Sequence, residues 1–143
     1  MTKVKLTVCS VIDELDDAGI VCDTSKTELT CRAVLDACDG GVHLFYTSEE
    51  NGQKTDTDVY IFPDSARVIR HGAIESDFLF EEKKSTKSLY KIPPYAFDAE
   101  IYTKRIRKSE AGGAKELTVI YDMTVGAAKK SVKMKITYLG GSI

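Results

Sequence analysis

Between residues 3 and 138 the chain repeatedly alternates apolar and polar side chains with a period of two. Successive residues of a strand point to opposite faces, so this pattern specifies half-buried β-strands. Val4, Leu6 and Val8 oppose Lys3, Lys5 and Thr7, and Leu29, Cys31, Ala33 and Leu35 form a second set. Val42, Leu44 and Tyr46 follow, then Val59 and Ile61 against Tyr60 and Phe62. Shorter segments run over 66–70, 74–80 and 89–92, with Ile74, Phe78 and Phe80 on one face. The last third is the most regular. Phe97, Ala99 and Ile101 alternate with Asp98, Glu100 and Tyr102. Leu117, Val119, Tyr121, Met123 and Val125 form one row, and Val132, Met134, Ile136 and Tyr138 another.

Turn chemistry separates these runs. Asp39-Gly40-Gly41, Asn51-Gly52 and Gly112-Gly113 supply the positive φ that tight hairpins require. Pro63-Asp64 and Pro93-Pro94 interrupt others, because proline cannot donate to a ladder. About eight to ten short strands result, with at most one helical turn over 13–17. Apolar-in, polar-out alternation belongs to antiparallel sheets with one wet face. An open sheet of this length would leave two edges exposed, and closure removes both. The expected architecture is therefore an all-β, antiparallel up-and-down barrel in one domain spanning 1–143. An interior of that size either fills with side chains or holds one small ligand.

With 143 residues, 43% hydrophobic and 29% charged, the chain suits one globular domain. No segment has the ~20 consecutive apolar residues of a membrane span. No apolar run of leader length follows Lys3 and Lys5, so the expected address is the cytoplasm. Cys9, Cys22, Cys31 and Cys38 are then reduced thiols. Their spacing matches no zinc pattern, and Cys9 and Cys31 lie within strand-like runs. Charge is uneven: residues 1–82 carry 7 basic and 17 acidic side chains, whereas 83–143 carry 13 and 5. In one small domain this predicts acidic and basic strands neutralising each other in a shared sheet, in preference to a basic binding face.

Several segments together resemble the YwiB-like proteins, a family of small bacterial proteins of unknown function. They are Val4-Lys5-Leu6-Thr7-Val8, Phe45-Tyr46-Thr47-Ser48-Glu49-Glu50, Arg70-His71-Gly72, Phe78-Leu79-Phe80-Glu81, Tyr90-Lys91-Ile92-Pro93 and Ile120-Tyr121-Asp122-Met123. The resemblance implies a calycin-like, lipocalin-like barrel and no known activity.

Candidate chemistry is sparse. Arg70 shares a face with Val68, where its planar fork could anchor an anionic head group inside the barrel. Arg67, Ile69 and His71 make an equally consistent inward set. The structural alternative for Arg70 is a rim salt bridge, or a buried pair with Glu49 or Glu75. His43 and His71 are the only histidines, and His43, beside a Gly-Gly turn, suits an exposed position. A metal site would need a third ligand, so none is assigned. G-x-S-x-G, P-loop and EF-hand patterns are absent, and Leu15 spoils the acidic run at 13–17 for calcium. No catalytic residue and no cofactor are expected. Lys104-Arg105-Ile106-Arg107-Lys108, near Tyr95 and Tyr102, could contact phosphates, but a pI near 5.7 argues against nucleic acid. The leading functional expectation is a non-enzymatic barrel binding a small apolar or anionic ligand. Its lumen would be lined by Arg70, Tyr46, Phe78, Phe80, Tyr121, Met123 and Met134. The same apolar residues could equally form a solid core, leaving an interaction module with an unknown protein partner that works through its outer face.

Overall fold

The computed structural model describes residues 2–139. Ten strands follow one another: β1 (Thr2–Leu15), β2 (Val21–Cys38), β3 (Gly41–Glu50), β4 (Gln53–Ile61) and β5 (Ser65–Gly72). Then come β6 (Ser76–Glu81), β7 (Ser85–Ile92), β8 (Tyr95–Ala111), β9 (Ala114–Val125) and β10 (Ala128–Leu139). All pairings are antiparallel, in the order β6-β5-β4-β3-β2-β1-β10-β9-β8-β7. The outermost strands, β6 and β7, meet through a Glu75–Lys91 bridge, with reciprocal backbone bonds of 2.9 and 2.8 Å. Thr86 Oγ1 also donates to the Leu79 carbonyl at 2.9 Å across this seam. The sheet is thus a nearly closed barrel.

The residues at 13–17 form no helical turn. β1 continues to Leu15, and the Asp16 carboxylate accepts from the Ala18 and Ile20 N–H groups, both at 2.9 Å. Asp is suited to this local bonding, which competes with helix formation. At the β3–β4 turn, Asn51 and Gly52 both have positive φ (53° and 77°), as a two-residue hairpin loop demands. Gly41 is required for closeness: a Cβ there would lie 2.1 Å from the Ile61 carbonyl oxygen.

The inward rows meet in one continuous core. Leu6, Leu44, Val59, Phe80, Ile101, Leu117, Val119 and Ile136 are almost wholly buried. β8 carries an irregularity that the alternation does not announce. Its register against β9 shifts between Thr103 and Arg105, so one extra residue, Lys104, interrupts the pairing. Such a bulge flips every side chain beyond it to the other face. Ile106 consequently turns toward the core opposite Val119, while Arg105 and Arg107 stay exposed. Without the bulge both arginines would point inward with Ile101 and Thr103.

Charge is only partly neutralised across strands. Lys104 pairs with Asp122 at 3.2 Å and Lys135 with Glu116 at 3.7 Å. On the same outer face Arg105, Arg107 and Lys133 have no ion pair among the described residues, so a basic strip survives on β8–β10. The expected cross-strand neutralisation is present in these two pairs, beside the strip that remains basic.

Candidate functional site

The two arginines of β5 divide between the faces of the sheet. Arg67 is exposed, and its Nε donates to Asp77 Oδ1 at 2.8 Å. This contact holds Asp77 below the usual carboxylate range, chiefly through the hydrogen bond and more weakly through the charge of Arg67. Arg70 lies one face over, in step with buried Ala66 and Val68, and is part-buried. It makes no hydrogen bond or ion pair among the described residues, so the alternative of a pair with Glu49 or Glu75 is not realised.

Register builds a polar row around it. Tyr46 faces Thr57 on β4, Thr57 faces Arg70 on β5, and Arg70 faces Ser76 on β6. Tyr46, Thr57 and Ser76 are buried, at 5%, 1% and 6% exposure. Ser76 Oγ has no partner, an uncommon state for a buried hydroxyl. Burial pushes the Tyr121 phenol up to about 12, and the positive charge of Arg70 acts in the opposite direction. Arg70 and Tyr121 therefore share the lumen. Above them, at the mouth formed by the 51–52, 73–75 and 93–94 turns, opens a pocket of about 250 Å³. Ser48, Thr55, Arg70, Ile74 and Ile92 are among its lining residues, as is Glu50 at the β3 end of the β3–β4 turn. The opposite mouth is spanned by Lys108, whose Nζ donates to the Phe62 carbonyl.

The six apolar residues expected to line a lumen are packed together. Phe80 lies against Tyr121 with ring centroids 4.8 Å apart, and Phe78 is 6.3 Å from Phe80 and 5.9 Å from Tyr90. Tyr46, Phe78, Phe80, Tyr121 and Met134 belong to the buried core, and Met123 packs against it. Thr57 and Ser76 escape sequence reasoning, since a small hydroxyl in a strand carries no local signal of its partners.

Elsewhere the chemistry is ordinary. His43 occupies the outer face but is more covered than its neighbouring glycines suggest, at 22% side-chain exposure. Its Nε2 is 2.6 Å from Asp58 Oδ1, and its ring stacks on Tyr60 at 4.6 Å. Cys9, Cys22, Cys31 and Cys38 are free thiols. Burial raises the Cys31 thiol, which disfavours the reactive thiolate. Among the described residues no three His, Cys, Asp or Glu side chains converge as metal ligands. No helix there is long and apolar enough to cross a membrane.

A meandering ten-stranded antiparallel barrel, with Arg70 unpaired among the described residues at one mouth, defines a class of small β-barrel proteins. The domain of unknown function DUF1934 matches residues 17–136, and the chain belongs to that family. The crystal structure of the ywiB protein from Bacillus subtilis is similar over 99% of this chain and 93% of that one. The TM-score is 0.80 and the sequence identity 28%. No curated protein matches the chain in sequence.

Proposed function

We propose that the barrel is a non-enzymatic binding protein for a small anion, held at the mouth by Arg70. The observation that carries this reading is the unpartnered, part-buried guanidinium beside the buried, unpartnered hydroxyl of Ser76. A partly buried charge without a counter-ion is less favourable than a paired one, and a bound carboxylate or phosphate would accept paired N–H donors from the guanidinium. Ser76, Thr57 and the Tyr46 and Tyr121 phenols would complete the donors on the lumen side. Phe78, Phe80, Met123 and Met134 would supply the apolar floor. A pocket of about 250 Å³ suits a compact ligand rather than a lipid chain. Eight-stranded calycin-like barrels commonly hold one ligand, and that analogy of fold agrees with the reading.

Native mass spectrometry of gently purified protein should reveal a small released anion. Titration calorimetry with inorganic phosphate and benzoate should show binding of at least one, abolished by Arg70→Met with the melting temperature retained. Binding of neither probe, or equal binding by Arg70→Met, overturns the proposal.

A second reading rests on the outer strip of Arg105, Arg107 and Lys133 above a filled core. It makes the barrel an interaction module for an acidic protein. Salt-sensitive capture of an acidic partner, lost on Arg105→Glu and Arg107→Glu but indifferent to Arg70→Met, would favour it.

A further inference from the structure

β2 is the longest strand, yet it is paired along only one edge for most of its length. β1 covers it from Val21 to Leu35, whereas β3 joins the other edge only from Val34 to Cys38. Residues 22–32 therefore present backbone N–H and C=O groups with no ladder partner among the described residues. All of these residues are exposed except Leu29 and Cys31. Natural edges are blunted by proline, bulges, shortness or repeated lysine. This segment has no proline, one lysine and three threonines, and its register against β1 shifts at Cys22 but is regular from Asp23 to Arg32.

We propose that β2 pairs with β2 of a second copy of this chain, antiparallel about a two-fold axis through Thr27. A two-fold perpendicular to the sheet keeps both wet faces on one side, so only residues of equal parity face each other. Centred on Thr27, each Lys26 faces the other copy's Glu28, and each Thr24 faces Thr30. Neither Lys26 nor Glu28 has an ion pair within the described chain. Neighbouring registers of the same parity are worse. A centre at Lys26 or Glu28 sets like charges opposite each other, and one at Leu29 sets Lys26 against Arg32. Opposite charges directly across an antiparallel pair stabilise it, and like charges destabilise it. The Thr27 register also ends with Cys22 opposite Arg32, short of Val34, where β3 occupies the edge. Strand addition of this kind draws affinity from main-chain bonds and specificity from the facing side chains.

Sedimentation velocity of the full chain should show a reversible dimer. Lys26→Glu should raise its dissociation constant about tenfold or more, since it places acid opposite acid twice. The double variant Lys26→Glu, Glu28→Lys restores opposite charges and should restore the dimer. Thr27→Cys, in a Cys22→Ser background, should form an intermolecular disulfide under mild oxidation. Circular dichroism checks that each variant stays folded, which these exposed positions favour. A chain that stays monomeric at sub-millimolar concentration overturns the proposal. So does a dimer indifferent to Lys26→Glu, or one in which Thr27→Cys fails to cross-link.

Discussion

Arg67 Nε donates to Asp77 Oδ1 at 2.8 Å across the outer face of β5 and β6, diagonal to the ladder that sets Ile69 against Asp77. The contact anchors Arg67 on the wet side, so Arg70, three residues on, falls on the lumen side. Asp77 is held low and Arg67 is raised, both chiefly through this hydrogen bond. A depressed carboxylate contributes stability above its unfolded value near ~3.9 and loses it as pH falls through the folded value. Both side chains are 46% exposed, so solvent screening limits the effect. Asp77→Asn should cost about 0.5 kcal/mol at neutral pH and nothing at strongly acid pH, by urea denaturation at both.

Tyr121 titrates late because its phenol is buried. With a folded value of about 12 against ~10 unfolded, stability is intact below pH ~10 and is lost as pH rises toward 12. Tyr121→Phe should flatten that alkaline decline. Arg70→Met removes the charge that opposes the shift and should delay phenol ionisation further, read from ultraviolet absorbance against pH.

Phe80 is 1% exposed and sits against both Tyr121 and Phe78. Phe80→Ala should cost about 3–5 kcal/mol, the usual range for emptying an aromatic core position. The denaturation midpoint should fall, with the slope unchanged.

Gly41→Ala forces a Cβ to 2.1 Å from the Ile61 carbonyl, which splits the β3–β4 ladder where it begins. A loss above about 2 kcal/mol is expected. Gly112→Ala, with a φ of 61° and nothing within 4 Å, should cost about 1 kcal/mol from backbone strain alone. The comparison of midpoints separates contact from conformation.

Thr103 Oγ1 is buried without a partner, like Ser76 Oγ. Thr103→Val keeps the shape and removes an unpaired hydroxyl, so it should be neutral or stabilise by up to about 1–2 kcal/mol. Ser76→Ala should also be tolerated thermodynamically. If the site is functional it should weaken anion binding, a split that calorimetry and melting together would resolve.

The core rows were readable because Leu117, Val119 and Tyr121, or Val132, Met134 and Ile136, admit one parity only. Arg67 and Arg70 were not separable, since Val68 supports one inward set and Ile69 the other. Only cross-strand register against Asp77 decides. Residues 23–28 of β2 have no apolar alternation, so that half of the strand is dictated by β1. The bulge at Lys104 had a trace in sequence: the apolar set shifts parity between Ile101 and Ile106. Arg70's lack of a counter-ion depends on every strand around it, and no local pattern encodes that.

The strand order also shapes how the molecule can assemble. The seam joins β6 to β7, neighbours in sequence, whereas the ladder between β1 and β10 sets Leu6 against Tyr138. During synthesis the middle hairpins can form as they emerge, but β1 waits for β10. Until then it has only β2 beside it, and the core rows of β1 lie open along their length. The ladder between β1 and β10 is thus the last of this sheet to form, and the described strands are most aggregation-prone immediately before β10 pairs.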